Sequence, residues 1–404
     1  MTWKKNLFAV TAASFIGFTG FTLVMPFLPL YFQSLGVEDV GEIALWSGLS
    51  LGVTPAVTAL MAPLWGRLAD RVGRKVMVER SLLSFVVVMA AMAFVSEPWH
   101  VFALRAFQGL FAGYGALTLT MAADTAPPDQ MAYAIGIVQT AQRLGPALGP
   151  VIGGTVAQLV GLRRAFLVTS AFYLVAAVLV FVMYRERRME KERSSGADVR
   201  VTFRNVLAFE NFVLLMAVVF GLQFVDRSVG PILPLYVGEL GTPADRAPLV
   251  SGILFSITAG AAALGNQICG HLLRRYSPRA LIAGAAAVGS VGALVYVFAG
   301  QTLTLLLGTP LFGVAIGLAT TAAYTAAGSV IPPAARGAGF GLLTTASLTG
   351  LALSPILNGM LASVSIRAVF LLDATALLAL ATLVRRLMVS SPIAPARAPA
   401  AEEL

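Results

Sequence analysis

The sequence has one cysteine, Cys269, two histidines, His100 and His271, and few charged residues. A single cysteine excludes a disulfide within the chain, and the two histidines are too far apart for a metal-binding motif. Charged residues make up 12% of the 404 residues, against roughly 25% in soluble globular proteins. We therefore expect an integral membrane protein with no metal and no bound cofactor.

Long apolar runs are the main feature of the chain. Hydrophobic residues account for 58% of it, and the mean hydropathy is +0.84. A helix needs ~20 apolar residues to cross a bilayer, and continuous runs favour helices over the alternating pattern of a barrel. The sequence predicts an all-α membrane protein with twelve transmembrane helices. They lie at 7–31, 44–65, 76–96, 98–122, 132–159, 163–184, 207–236, 247–271, 278–299, 302–328, 338–361 and 366–388.

A basic segment at 185–206 separates the first six predicted spans from the last six. We expect residues 1–184 to form an N-terminal six-helix bundle and residues 207–388 to form a C-terminal one. The segment 185–206 is then a cytoplasmic linker. Residues 389–404 are rich in Ala and Pro, a composition typical of a disordered tail, which we place in the cytoplasm.

The two halves of the sequence repeat each other in one register. Met25–Tyr31 matches Gly230–Tyr236, and Pro150 matches Pro355, both at an offset of 205 residues. Two six-helix units of the same topology are related by a pseudo-twofold axis along the membrane normal. This arrangement predicts a substrate site near the midplane, between the halves.

The lysines and arginines lie mostly in the terminal segments and in alternate loops. The opposite loops carry only Arg163, Arg164, Arg246 and Arg367. Because basic residues accumulate on the cytoplasmic side, we expect both termini there, in a bacterial inner membrane. The net charge of +9 follows from this bias, so we expect no nucleic-acid partner. We expect a monomer whose partners are the lipid bilayer and a small molecule.

Three motifs lie in the N-terminal half: GRLADRVGRK at 66–75, RAFQG at 105–109 and GPALGPVIGG at 145–154. They resemble the loop after helix 2 and the helix 4 and helix 5 elements of the major facilitator superfamily. The third is similar to the G-x-x-x-G-P-x-x-G-G element of exporters, mostly drug/proton antiporters with twelve spans. The resemblance implies secondary active transport: export of small amphiphilic molecules by alternating access, driven by a proton gradient.

The resemblance gives the first motif the role of a conformational latch. The latch residues are Gly66, Asp70, Arg71, Gly73, Arg74 and Asp124. The two glycines permit a tight turn. The resemblance places Asp70 against the N-terminus of helix 11, at 336–340, where the helix dipole favours an anion, and pairs Arg74 with Asp124. Positive-inside topology alone is the alternative explanation of the basic residues.

Small residues and prolines characterise the third motif. Its antiporter positions are Gly145, Gly149, Pro150, Gly153 and Gly154. Small residues let two helices approach closely. We expect a flexible contact between the halves, against Gly260–Gly265 of helix 8, with ordinary helix packing as the alternative.

Three residues are candidates for proton coupling. Asp226 in helix 7 shares a polar face with Gln223, whereas Arg227 points about 100° away and need not pair with it. Arg105 lies within a span, where a guanidinium normally faces a partner or a cavity. The resemblance implies that it adjusts the pKa of a nearby carboxylate that takes part in proton coupling. Asp373 is the second candidate carboxylate, expected near the outer surface. Structural ion pairs and hydrogen bonds are the alternative roles.

The predicted substrate cavity combines polar residues with aromatic residues and a methionine. These are Gln108, Gln139, Gln142, Arg143, Gln223, Arg227, Phe21, Met25, Phe224, Asn266 and Asn358. Helix packing and lipid contact are the alternative roles for each of them.

The substrate class stays open at this level. Helix 1 has no acidic residue between Phe8 and Tyr31, where several drug/proton antiporters carry one. Neutral, zwitterionic and anionic substrates are therefore as compatible with the sequence as cations. A dedicated exporter of a siderophore, sugar or amino acid is the alternative function, and a non-transporting membrane sensor is a third. The chain has no P-loop and no catalytic constellation, so we expect no enzyme activity.

Overall fold

The computed structural model describes residues 2–127, 130–186, 207, 209–331 and 336–389. Fifteen helices and no strands occur in these ranges. The predicted all-α fold is therefore confirmed. Most of the predicted linker at 185–206 and the predicted tail beyond residue 389 lie outside the described residues.

The N-terminal half contains eight of the helices. They are α1 (Thr2–Leu23), α2 (Leu28–Ser34), α3 (Val40–Val72), α4 (Arg74–Met92), α5 (Pro98–Phe111), α6 (Tyr114–Thr125), α7 (Met131–Val160) and α8 (Leu162–Met183).

The C-terminal half contains the other seven. They are α9 (Phe212–Ser228), α10 (Leu233–Glu239), α11 (Ala247–Leu272), α12 (Pro278–Val297), α13 (Thr302–Val330), α14 (Arg336–Ala362) and α15 (Ile366–Leu387).

Each of the twelve predicted spans is occupied by helix, but three of them are broken. Within the described ranges, eight helices are long and apolar enough to cross a membrane, and α9 with α10, which meet at a bend of 46°, would make a ninth. The remaining three predicted spans correspond to α4, which begins with charged residues, to α5 and α6, and to α7, which carries Gln139, Gln142 and Arg143. Hydropathy did not reveal the breaks, because apolar residues continue across each of them.

The predicted duplication extends to individual hydrogen bonds. Asn6 donates from Nδ2 to the carbonyl of Arg185 at 2.8 Å and accepts from its N–H at 3.0 Å. Asn211 makes the same two bonds with Val389, at 3.1 and 2.9 Å. In each half, one asparagine thus ties the start of the first helix to the end of the last.

A buried tyrosine repeats in the same way near the other end of each half. The Tyr31 hydroxyl donates to the carbonyl of Met92, and the Tyr236 hydroxyl donates to that of Tyr296, both at 2.6 Å. Each bond reaches a carbonyl among the last two residues of a helix, α4 or α12, where few backbone N–H groups remain to bond it. The two halves are therefore built on one plan.

The fourth predicted span (helix 4) is interrupted at Gly113, between α5 and α6. This glycine has φ +115°, a left-handed conformation that side chains with a Cβ disfavour. A break within lipid frees carbonyl groups that water cannot reach, so the protein itself must supply donors.

Two side chains supply those donors. Trp65 donates from Nε1 to the carbonyl of Leu110 at 2.6 Å, and Arg80 donates from Nη2 to that of Phe111 at 3.1 Å. The Arg80 guanidinium also lies 3.6 Å from the centroid of the Trp65 ring, a cation–π contact. Residues from α3 and α4 therefore hold the break in helix 4.

The Trp65→Phe variant tests this arrangement, because it keeps an aromatic ring and removes the N–H. We expect a loss of about 1–3 kcal/mol, the cost of an unsatisfied polar group, measured as a lower melting temperature in lipid nanodiscs. The exposed Trp99 provides the control, since Trp99→Phe should leave the melting temperature unchanged. Equal melting temperatures for the two variants would contradict the assignment.

Candidate functional site

The two halves meet between α3 and α14 through closely packed backbone. A Cβ at Gly48 would overlap the carbonyl of Pro355, and one at Gly359 would lie 2.6 Å from the carbonyl of Ala44. These residues lie in the first part of α3 and the last part of α14. The contact is therefore at the end of the molecule opposite the 66–75 loop.

A second contact, between α7 and α11, lies at the same end. A Cβ at Gly154 would overlap the carbonyl of Pro248, and one at Gly252 would overlap the carbonyl of Pro150. The backbone N–H of Val151 also donates to Ser256 Oγ across the halves at 3.2 Å. Glycines thus allow two pairs of helices from different halves to touch backbone to backbone.

We predicted that the 145–154 motif of α7 would contact Gly260–Gly265 of α11. This prediction was partly wrong. Gly145, Gly149 and Gly153 pack against α1 in their own half. The partner segment on α11 is also different, since Gly265 packs against α13 and Gly260 has no atom within 4 Å of an added Cβ. The spacing of the glycines alone did not show which of them face α1 and which face α11.

The predicted 66–75 loop is helical except at Gly73, so the turn expected at Gly66 was wrong, because α3 continues to Val72. The segment contacts other helices of the N-terminal half. Gly73 has φ +106° between α3 and α4, and Lys75 donates from Nζ to the carbonyls of Phe181 and Tyr184 at 2.9 and 2.8 Å. Glu186 accepts from the N–H of Arg74 at 2.7 Å, so an anion sits at the N-terminus of α4. The loop thereby joins α3 and α4 to the end of α8.

Arg74 forms an ion pair with Asp124 at the end of α6. Arg71 is exposed. The side chains of Asp70 and of residues 336–338, and the surroundings of Gly66, lie outside the described part of the structure. The predicted contact between Asp70 and the start of helix 11 therefore stays a prediction.

Asp226 and Arg227 form an ion pair at the end of α9. Arg227 Nε lies 3.3 Å from Asp226 Oδ2, and both side chains are partly exposed, at 35% for Arg227 and 22% for Asp226. The alternative role, a structural ion pair, is the one observed, because the arginine side chain is long enough to fold back along the helix. Asp226 is thus an accessible carboxylate with an adjacent cation.

Arg105 is buried within the N-terminal half, with 2% of its surface exposed. It donates from Nη1 to Oε1 of Gln108 at 2.9 Å, and no described carboxylate is bonded to it. Gln108 is fully buried as well. Neither residue lines an open cavity in this conformation.

Asp373 is also buried, with 1% of its surface exposed. Its Oδ2 lies 2.5 Å from Ser228 Oγ, at the end of α9. The repeated sequence did not reveal this contact, because α9 and α15 are far apart along the chain.

Four of the other predicted cavity residues form side-chain hydrogen bonds within their own half. The bonds are Gln142 to Thr118 at 3.0 Å, Gln223 to Ser347 at 2.8 Å, Thr321 to Asn266 at 2.8 Å and Asn358 to Ser354 at 3.1 Å. Asn358 is fully buried. Gln139 and Arg143 are exposed on α7, and Phe21, Met25 and Phe224 are partly exposed.

A sequence model of the Major Facilitator Superfamily matches residues 10–312 and 248–404 of the chain. The chain belongs to the major facilitator superfamily. It is therefore a membrane transporter and not an enzyme.

Relatives of this superfamily member include proteins named for drug resistance. Multidrug resistance protein MdtG of Dickeya zeae is 35% identical over 284 residues, which cover 69% of this chain and 69% of that protein. A multi-drug resistance efflux pump PmrA homolog of Lactococcus lactis is 33% identical over 282 residues, covering 70% of this chain and 69% of the relative.

Solved transporters share the fold. A bacterial homolog of the human lysosomal transporter Spinster, in an inward-facing and occupied conformation, aligns with a TM-score of 0.80 at 18% identity, over 96% of this chain and 98% of that one. A D-xylose-proton symporter aligns with a TM-score of 0.76 at 15% identity, over 96% and 99%. At these identities the likeness establishes the superfamily fold alone.

The Gly154→Val variant tests the contact between the halves. Overpacking costs about 1–3 kcal/mol, and a shift of that size changes a conformational equilibrium roughly 5- to 150-fold. We expect a longer distance between spin labels at Leu159 and Arg246, measured by electron–electron resonance in a Cys269→Ala background.

Gly136→Val is the matched control on the same helix. An added Cβ at Gly136 meets no atom within 4 Å, so this variant should keep the distance of the unmodified transporter. An unchanged distance in Gly154→Val would contradict the contact.

Proposed function

We propose that this transporter exports small amphiphilic molecules across the bacterial cytoplasmic membrane in exchange for protons, by alternating access. Both termini and the 66–75 loop lie on the cytoplasmic side in this proposal, and the protein acts as a monomer. The 185–206 segment links the halves there.

The observation that carries the proposal is the contact of α3 with α14 and of α7 with α11. Both contacts lie at one end and join backbone to backbone at glycines such as Gly48 and Gly154. Such surfaces can separate easily, because no long side chains interdigitate at these glycines. In the proposed cycle, this end is closed while the cavity is open to the cytoplasm, and the predicted Asp70 contact forms when the outer end opens.

Export is supported by the names of the relatives and by the 145–154 motif. Several relatives are called multidrug resistance protein or efflux pump. Transport by alternating access is reversible in principle, so the direction of net movement depends on the driving force. An inward proton gradient drives export when substrate and proton exchange.

Asp226 is the carboxylate that we propose for this exchange. It is partly exposed at the end of α9, and its Arg227 partner can stabilise the charged form after the proton leaves. Binding of a cationic or polar group near Asp226 would favour release of the proton. Proton and substrate would thereby compete for one region.

A second candidate function is the export of an anionic or zwitterionic metabolite. It is favoured by the exposed cation of Arg143 on α7 and by the lack of an acid in helix 1. A guanidinium recognises a carboxylate or phosphate through paired hydrogen bonds. Drug efflux would then be incidental.

Proton movement in proteoliposomes tests the proposal. We expect at least one compound, from a panel of cationic, zwitterionic and anionic amphiphiles, to drive proton flux with the wild type. The flux should vanish in Asp226→Asn, because the amide cannot release a proton. Asp245→Asn, in an exposed loop, is the matched control and should keep the flux.

Coupling that survives in Asp226→Asn would move the exchange to another carboxylate. A wild type that moves protons with no compound would count against antiport and favour a narrow metabolite exporter.

The Arg143→Gln variant separates the two substrate classes. A hydrogen bond to a charged group contributes about 1.5–3 kcal/mol, so loss of the cation should raise KM for anionic compounds by roughly tenfold or more. The KM for cationic compounds should not rise. Arg246→Gln, on the outer loop, is the control, and an equal change for both compound classes would exclude a role for Arg143 in charge recognition.

A further inference from the structure

The carboxyl group of Asp373 lies in an almost dry site at the bend between α9 and α10, which together form the seventh predicted span (helix 7). Ser228, the last residue of α9, contacts its Oδ2, while Oδ1 has no hydrogen-bond partner among the described residues. The group also borders a void that does not admit a water molecule. The other residues lining the void are Val229, Ala293, Tyr296, Phe312 and Phe370.

If Asp373 is ionised, Ser228 has one hydroxyl hydrogen for two acceptors. Ser228 Oγ lies 2.5 Å from Asp373 Oδ2 and 2.8 Å from the carbonyl oxygen of Val225. A hydroxyl has one hydrogen, and a carbonyl and a carboxylate can only accept. Both contacts lie within hydrogen-bond distance, so an ionised Asp373 and the Val225 carbonyl would compete for one hydrogen.

One proton on Asp373 resolves the conflict. The acid then donates from Oδ2 to Ser228 Oγ, and Ser228 donates to the carbonyl of Val225. We infer that Asp373 is a proton-binding site, distinct from Asp226, and that it holds its proton in this conformation.

Neighbouring tyrosines cannot supply the missing hydrogen. Tyr296 OH lies 2.6 Å from Thr309 Oγ, which itself donates to the carbonyl of Leu305, so the Tyr296 hydrogen points to Thr309. Tyr236 on α10 donates to the carbonyl of Tyr296. Arg279 is at the opposite end of α12, and the described side chains of α13 and α14 near the site carry no charge.

The charged groups nearby are also occupied elsewhere. On α9, Asp226 and Arg227 pair with each other. On α15, Arg367 is exposed and donates to the carbonyl of Ala299 at 3.4 Å. No cation therefore bonds to the Asp373 carboxyl group among the described residues, and a buried carboxylate without a cation is costly.

The internal repeat places a different charge at the equivalent site of the N-terminal half. Asp373 occupies the position of Thr169, and Thr309 occupies that of Arg105, at an offset of 204 residues. A guanidinium stays charged in proteins, whereas a carboxyl group can exchange its proton. Of these two equivalent sites, the C-terminal one is thus the site that titrates.

The bound proton is linked to the shape of helix 7. When Asp373 releases it, Ser228 has one hydrogen for two acceptors, and either the carboxylate or the Val225 carbonyl loses its bond. This happens at the residue before the 46° bend between α9 and α10. The proton site stands on the geometry alone, while its use in transport rests on the proposed function.

Infrared spectroscopy of the full-length protein in lipid tests the inference directly. A protonated acid gives a carbonyl stretching band that ¹³C-labelled aspartate shifts. We expect this band at neutral pH in the wild type and in Asp226→Asn, and its loss in Asp373→Asn. The asparagine amide can still donate to Ser228, so the variant should fold. Absence of the band from the wild type, or its persistence in Asp373→Asn, would overturn the assignment.

Ser228→Ala provides a second, independent variant. It removes the acceptor of the proposed proton, so the band should stay but change frequency. An unchanged frequency would mean that the band arises elsewhere, which would also overturn the proposal.

The link to the bend is tested with spin labels at Val213 and Glu239, on either side of it. Their distance should change with pH in the wild type and stay at its acidic value in Asp373→Asn. A wild-type distance that does not respond to pH would overturn the link. An acid band without proton flux would leave the site intact and contradict the proposed antiport, whereas flux without the band would do the reverse.

Discussion

Every polar group of the backbone must find a partner inside the protein wherever lipid replaces water. This constraint explains why the described chain is helical and why its three broken spans are not simply flexible. Where helix 4 breaks, Trp65 and Arg80 bond the freed carbonyls. Where helices 1 and 7 break, short helices resume within a few residues, and the Tyr31 and Tyr236 hydroxyls bond carbonyls of neighbouring helices. Polar side chains thus determine where a span can bend.

The contacts within each half differ from those between the halves. Within each half, helices are joined by side-chain hydrogen bonds, and residues such as Gly149 let α7 lie directly on α1. Between the halves, the closest contacts are glycine backbones against carbonyls, at Gly48 and Gly154. Contacts of this kind depend on close fit more than on directional bonds. They differ in kind from the side-chain hydrogen bonds within each half.

Charge inside the bundles follows a related logic. Arg105 and Asp373 occupy related regions of the two halves, and each is bonded to a neutral side chain, Gln108 or Ser228. Neither has an opposite charge to neutralise it among the described residues. A permanent cation in one half is fixed, whereas a carboxyl group in the other can lose its charge by binding a proton. Duplication followed by divergence has therefore given one scaffold two different electrostatic roles.

The amount and distribution of apolar residues alone determined the helical class and the twelve segments, because lipid imposes length and hydropathy on every span. Matching residues at one offset determined the repeat. Motif spacing also placed Gly73 in a turn. The tertiary structure decided which face of α7 meets α11, that Asp226 pairs with Arg227, and that Asp373 contacts Ser228. These facts depend on side-chain direction and on helices far apart in sequence. Periodicity gives the face of a helix, but only packing decides what that face meets.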